Sequence, residues 1–215
     1  DHKEHGMSSP RLTVKSIADI LRTPGQSPAR TLRDQKYPQQ EPQVFRTPYY
    51  QPAITAVRRF YREGNNAAAL QSARNKAESI GNQARRSNNI RITDSFRTSA
   101  HAKRRFTLVP NRGQSANIGS VEIRLSADMQ AMENGVLRVL FFNCRADPVD
   151  EETAVLMTEV AHWVLEQNRI QLEPGQIEVM DLSNGRSHMA SHWRESTLIG
   201  LRNRARAIAS LWDRI

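Results

Sequence analysis

The stretch VLRVLFFN, Val136 to Asn143, constrains this chain more than any other part of it. It is apolar at almost every position, so a strand here has to be covered on both faces rather than one. Its boundaries are equally explicit. Asn134-Gly135 just before it suits a tight two-residue hairpin turn, whose central positions need positive φ. After it, Pro148 and Asp150 followed by Glu151 and Glu152 mark a helix start, where carboxylates complement the helix dipole. That helix would turn Ala154, Met157, Val160, Ala161 and Val164 inward. A strand buried on both faces, entered through a hairpin and left through a helix, calls for a sheet with helices on both sides.

The flanking segments fit that plan. Val121, Ile123 and Leu125 alternate with Glu122, Arg124 and Ser126, which predicts a half-buried strand. KRRFTLVP (103–110) suits a strand entered through a basic edge, GQSANIG (113–119) reads as a turn or mobile loop, QIEVMDL (176–182) as a further strand and SNGRSH as a turn. One helix runs from Pro52 with a stripe of Ala53, Val57, Phe60 and Tyr61. A second, capped by Asn65 or Asn66, has a small apolar face from Ala69 to Ala84. The last helix carries Leu198, Leu201, Ala205, Ile208 and Trp212 at helical spacing. The predicted class is α/β (α+β-like), with a mixed central sheet of about four strands in the order α-β-β-β-α-β-α, flanked by helices. Three strands arriving without helices between them exclude a doubly wound sheet.

Residues 1–50 read as a Pro-rich irregular arm and residues 51–215 as a single α/β domain. Pro24, Pro28, Pro38, Pro42 and Pro48 prevent a long helix in the arm. One short helix is expected in TVKSIADILR, where Val14, Ile17, Ile20 and Leu21 share a face. Tyr37, Phe45, Tyr49 and Tyr50 are candidate anchors; aromatics beside arginines also suit stacking on bases. The longest apolar runs fall far short of the ~20 residues of a membrane span, so no membrane partner is expected. The N-terminal residues lack the apolar stretch of a secretory signal. The single cysteine, Cys144, excludes an internal disulfide and a Cys-based zinc cluster and fits a reducing compartment, cytoplasmic or nuclear.

Net charge is +9, distributed unevenly. Residues 1–112 hold 21 Lys/Arg against 8 Asp/Glu, residues 113–185 hold 4 against 12, and residues 186–215 hold 6 against 2. A basic half is the electrostatic footprint of a polyanion binder. Arg85, Arg86, Lys103, Arg104 and Arg105 are candidates for a phosphate-binding edge, which Arg202 and Arg206 of the last helix would extend. The competing use is internal, since the acidic middle segment needs cations of its own. The residues leave both uses open.

The order of elements over about residues 66–182 resembles the restriction-endonuclease-like PD-(D/E)XK superfamily, whose common core runs αβββαβ. The resemblance implies an acid on the second core strand and a (D/E)-x-K triplet on the third, together holding Mg or Mn. Carboxylates bind such hard cations through oxygen, and the metal then lowers the pKa of its water. Asp128 in SADMQ matches the acid. The triplet position holds Asn143-Cys144-Arg145, with an amide where the family has an acid and Arg where it has lysine. An amide is the poorer ligand, and Arg does not accept a proton near neutrality. Asp128, Asn143 and Arg145 are therefore the candidate site in degenerate form, with an Asp128–Arg145 ion pair as its plainest structural expression.

The expected function is a non-catalytic, nuclease-like fold that binds nucleic acid or a protein partner, without a cofactor. One alternative is a nuclease dependent on Mg or Mn, with Asp128 as metal ligand and Asp147, Glu122 or Glu78 as substitutes. Another is a protein-interaction module. Cys144 and His162 read as buried and packed residues, and Asp181 with Asn184-Gly185 as a turn.

Overall fold

The run Val136–Asn143 is the central strand of a five-stranded sheet that carries a hydrophobic cluster on each face. The structure, a computed structural model, describes residues 9–37 and 49–215. Its elements begin with β1 (Arg11–Thr13), α1 (Val14–Arg22), α2 (Ala29–Lys36), α3 (Gln51–Arg62), α4 (Ala67–Glu78) and α5 (Gln83–Thr98). Next come β2 (Thr107–Leu108), β3 (Gln114–Ile118), β4 (Val121–Leu125), β5 (Met129–Glu133) and β6 (Val136–Asn143). The chain finishes with α6 (Glu151–Gln167), β7 (Ile177–Asp181), β8 (Arg186–His188) and α7 (Glu195–Trp212). The larger sheet has the order β2-β5-β6-β7-β8, with β6 antiparallel to β5 and parallel to β7. A smaller sheet, β1-β4-β3, pairs β1 parallel and β3 antiparallel to β4. Both sheets are mixed and the class is α/β, as the sequence predicts.

Period-two alternation divides β6 between the two clusters. Val139 and Phe141 face α1, α6 and α7, whereas Leu140 and Phe142, with Cys144 just past the strand, face α3 and α5. Ile177 and Val179 of β7 join the first cluster and Met180 the second. The turn before β6 has the conformation its residues demand: Glu133 pairs with Val136 across two residues, with φ 50° at Asn134 and 79° at Gly135. Asp150 caps α6, accepting from the Thr153 N–H at 3.0 Å. Its bond to Arg22, at 2.7 Å, and the Thr153 donors hold its carboxyl down at about 2.

Three expectations are corrected. First, GQSANIG, read as a turn or mobile loop, contains β3, which pairs with VEIRL (β4) in the smaller sheet, and the strand that joins β6 across the Asn134-Gly135 turn is MQAME (β5). QSANI buries only Ala116, so its strand character comes from pairing and leaves no alternation to read. Second, the helix expected to reach Ala84 stops at Glu78, and α5 starts afresh after Asn82, whose side chain accepts from the Arg85 N–H at 2.8 Å. α5 then runs through the basic stretch and buries Ile92 and Phe96. Third, the arm holds the short helix expected in TVKSIADILR, α1, and beyond that expectation β1 and α2, with an irregular stretch over 23–28. Leu12, Ile17, Ala18 and Leu32 are at most 1% exposed and belong to the same cluster as Val139 and Val160. Thr13 caps α1 through Oγ1, which accepts from the Ser16 N–H at 3.1 Å. Phe45, Pro38, Pro42 and Pro48 lie outside the described residues. Among the described residues, no helix is long and apolar enough to cross a membrane.

Candidate functional site

A cleft opens where β6 ends and β5 begins. Asp128 immediately precedes β5; its N–H donates to the Leu140 carbonyl at 2.9 Å, and its Oδ2 accepts from the Phe142 N–H at 2.7 Å. Burial pushes the Asp128 carboxyl up to about 6, against the opposing pull of the Phe142 N–H and the charges of Arg58 and Lys15. Asn143 is the last residue of β6, and Arg145 stands exposed just beyond it. Asp128, Asn143 and Arg145 line a single cavity of 590 Å³ together with Lys15, Tyr50 and Asn88. A second cavity of 220 Å³ shares Lys15, Asn143 and Arg145 and adds Asp19. The three expected positions therefore converge. The expected ion pair does not form: no salt bridge among the described residues joins Asp128 to Arg145, because Asp128 is bonded to the β6 backbone instead.

The reason for the amide at 143 lies one strand away. Asp181, at the end of β7, is fully buried and its carboxylate accepts from four donors. These are Asn143 Nδ2 at 2.8 Å, Val149 N at 3.0 Å, Ser183 Oγ at 3.1 Å and Asn184 Nδ2 at 3.2 Å. The turn read at 181–185 is present, but its acid also fixes the end of β6 and the entry to α6. Position 143 must donate. A carboxylate there would place two acids at hydrogen-bond distance in a buried site, which one of them resolves only by taking a proton.

This donor set does not fit a hard divalent cation. One Asp128 oxygen is already occupied by the Phe142 N–H. Among the described residues, no group of three or more His, Cys, Asp or Glu side chains could hold a metal ion. Glu122 lies on β4 in the other sheet, paired with Arg11 at 3.0 Å and Arg124 at 3.2 Å. Glu78 pairs with Arg74 on α4. The Cys144 thiol, pushed up to about 12 by burial, is no nucleophile. His162 stacks on Trp193 at 4.0 Å, packed as expected though against a different tryptophan from its sequence neighbour.

The seven basic candidates do not form one edge. Arg104 faces inward, forked between Glu133 at 2.8 Å and the fully buried Glu178 at 2.5 Å, with its guanidinium over the Phe106 ring. Its expected role at a phosphate edge gives way to an internal one, because a buried carboxylate needs the cation. Arg86 donates to the Ile80 carbonyl, Arg85 to that of Tyr49 and Arg105 to that of Gly64. Lys103 is exposed. Arg202 and Arg206 are exposed on α7, which packs on the opposite face of the large sheet from α5. The cation the sequence did not single out is Lys15 on α1, which lines both cavities. Lys15 is exposed to solvent, and its partial desolvation at the cleft, followed by the charge of Arg145, lowers its proton affinity below that of an ordinary lysine. Only tertiary packing brings it to the cleft, so no local pattern marks it. No protein-family model matches the chain, and no curated protein matches it in sequence.

Proposed function

We propose that this chain is a non-catalytic, nuclease-like domain that binds nucleic acid through the cleft at the end of β6. The observation that carries the reading is the convergence of Asp128, Asn143 and Arg145 on one cavity in a fold of the right order. Within the larger sheet and its helices the chain runs α5, β2, β5, β6, α6, β7, which is αβββαβ, with the β3–β4 hairpin inserted. Asp128 precedes the second of those strands, and the triplet starts at the last residue of the third. The same positions hold an amide and an arginine in place of the acid and the lysine. They keep polar and cationic groups that suit a phosphodiester and omit those that would cleave it.

The test combines binding and cleavage. Fluorescence anisotropy with labelled DNA and RNA at low salt should show binding whose affinity falls steeply as salt rises. Incubation of the same substrates with Mg²⁺ or Mn²⁺ should leave them intact. Cleavage that disappears in Asp128→Ala would establish the nuclease alternative instead. Absence of binding at low salt would leave the domain as a protein-interaction module.

A further inference from the structure

Four side chains around the larger cavity have unused binding capacity. Lys15 and Arg145 both line it, and neither ammonium nor guanidinium has a hydrogen-bond or ion-pair partner among the described residues. Two like charges converging on one space, with Asp19, Asp128 and Asp147 near but not in ion-pair contact with them, leave a place for an anion between them. The Tyr50 ring lines the same cavity, and its hydroxyl has no hydrogen-bond partner among the described residues. Its ring edge meets Tyr49, centroids 4.7 Å apart, and the Tyr49 carbonyl accepts from Asn89 at 2.9 Å, so the aromatic pair is anchored to α5. Asn88 donates its Nδ2 to the Tyr49 hydroxyl at 2.9 Å, which leaves its Oδ1 as an acceptor at the cavity wall.

Facing these groups are Asp147, which also lines the cavity, Asp128 and, in the adjoining space, Asp19. Arg91 donates to the Cys144 carbonyl at 3.4 Å, and Arg58 lies near Asp128 with its Nε buried and unpartnered. Of the residues that line the larger cavity two are cations and two are acids, and Arg58 and Arg91 lie close behind them. At 590 Å³ the cavity has room for a small-molecule ligand.

We infer that the cleft seats a single nucleotide without a metal ion: its phosphate lies between Lys15 and Arg145, and its base lies on Tyr50 with an edge toward Asn88. This rests on the nucleic-acid reading above and sharpens it. Two of the four groups, Lys15 and Tyr50, come from outside the αβββαβ order. Base stacking on an aromatic ring tolerates any sequence, so the ligand is defined by being an unpaired nucleotide rather than by its base. It could be a free nucleoside monophosphate or an unpaired residue of a longer strand, and the experiment separates these sources.

The full chain is titrated in EDTA by fluorescence anisotropy with a labelled single-stranded oligonucleotide and with the same sequence as a blunt duplex. Adenosine monophosphate and inorganic phosphate serve as competitors. The expected result is preference for the single strand, undiminished by EDTA. Lys15→Gln and Arg145→Gln should each weaken binding and each reduce the salt slope by about 0.7, one phosphate contact of a single strand. Tyr50→Ala should weaken binding by about tenfold with the slope unchanged. Competition by the monophosphate at micromolar concentration would identify a free nucleotide as the ligand, and binding of the oligonucleotide alone would identify a strand. Circular dichroism melts confirm that each variant is folded, and the salt slope distinguishes a lost contact from a loosened fold. Binding that persists in wild type but ignores Lys15→Gln and Arg145→Gln would overturn this inference and leave the nucleic-acid reading standing. A requirement for Mg²⁺ would also overturn it. Failure of the wild type to bind either nucleic acid would remove the broader reading first.

Discussion

Asp128 is held in a position that costs stability whenever it is ionised, and that cost is measurable. Its carboxyl is raised from 3.8 to about 6, chiefly because burial disfavours the charge. A carboxyl whose folded pKa lies above its unfolded one contributes stability below the unfolded value and loses it as pH rises through the folded value. Integrating between the two pKa values gives a penalty of about 1.6 kcal/mol at pH 5 and about 3 kcal/mol at pH 8. Asp128→Asn removes the titration and retains an amide oxygen for the Phe142 N–H. Urea denaturation of wild type and variant at pH 5 and pH 8 should therefore show Asp128→Asn the more stable at pH 8. Its advantage should shrink by about 1.4 kcal/mol at pH 5. An advantage of the same size at both pH values, or a variant less stable than wild type at pH 8, would refute the assignment of a buried, costly carboxylate.

Three further outcomes follow from the packing. Ile17→Ala, in the segment before residue 37, should destabilise the whole domain by about 2–5 kcal/mol in a single cooperative transition, since Ile17 is fully buried in the main core. A separate transition would show that the segment is an appendage. Asn143→Asp should cost about 2–3 kcal/mol at pH 8 and less at pH 5, because it sets a carboxylate against Asp181 and removes a donor from it. Equal costs at the two pH values would point away from charge repulsion. Arg104→Met should cost about 3–5 kcal/mol by leaving Glu178 buried without its cation. Adding Glu178→Gln should recover part of that loss in thermal melts.

The sequence disclosed those parts of the fold that local chemistry writes down. Asn134-Gly135 specified the hairpin, Asp150 the start of α6, and the uniform apolarity of 139–142 the strand covered on both faces. Elements formed by pairing alone were not legible. β1 has three residues and β2 two, too few for a period to register. MQAME mixes apolar and polar positions without a clean alternation, so β5 leaves no pattern to read. The site divided in the same way. Asp128, Asn143 and Arg145 are tied to strand ends and were readable by their order along the chain. Lys15 reaches the cleft through packing between segments far apart in sequence, and Asp181 governs Asn143 across a strand pair, so neither relation has a local signature.

The parallel pairing of β1 with β4, Arg11 opposite Glu122, gives synthesis on the ribosome a particular timetable. Strand β1 is made before its partner, and about 110 residues must be added before that partner exists, which takes roughly 5–20 s at ordinary elongation rates. During that interval Leu12, Val14 and Ile17 have no β4 to cover, and α1 has no α6 to rest on. A segment made early is thus among the last to dock, and it carries Lys15 with it. The nascent domain would complete its sheets and helices around β6 before the lysine reaches the cleft. Competence to hold an anion there would arrive as a late step of folding rather than with the site's other residues.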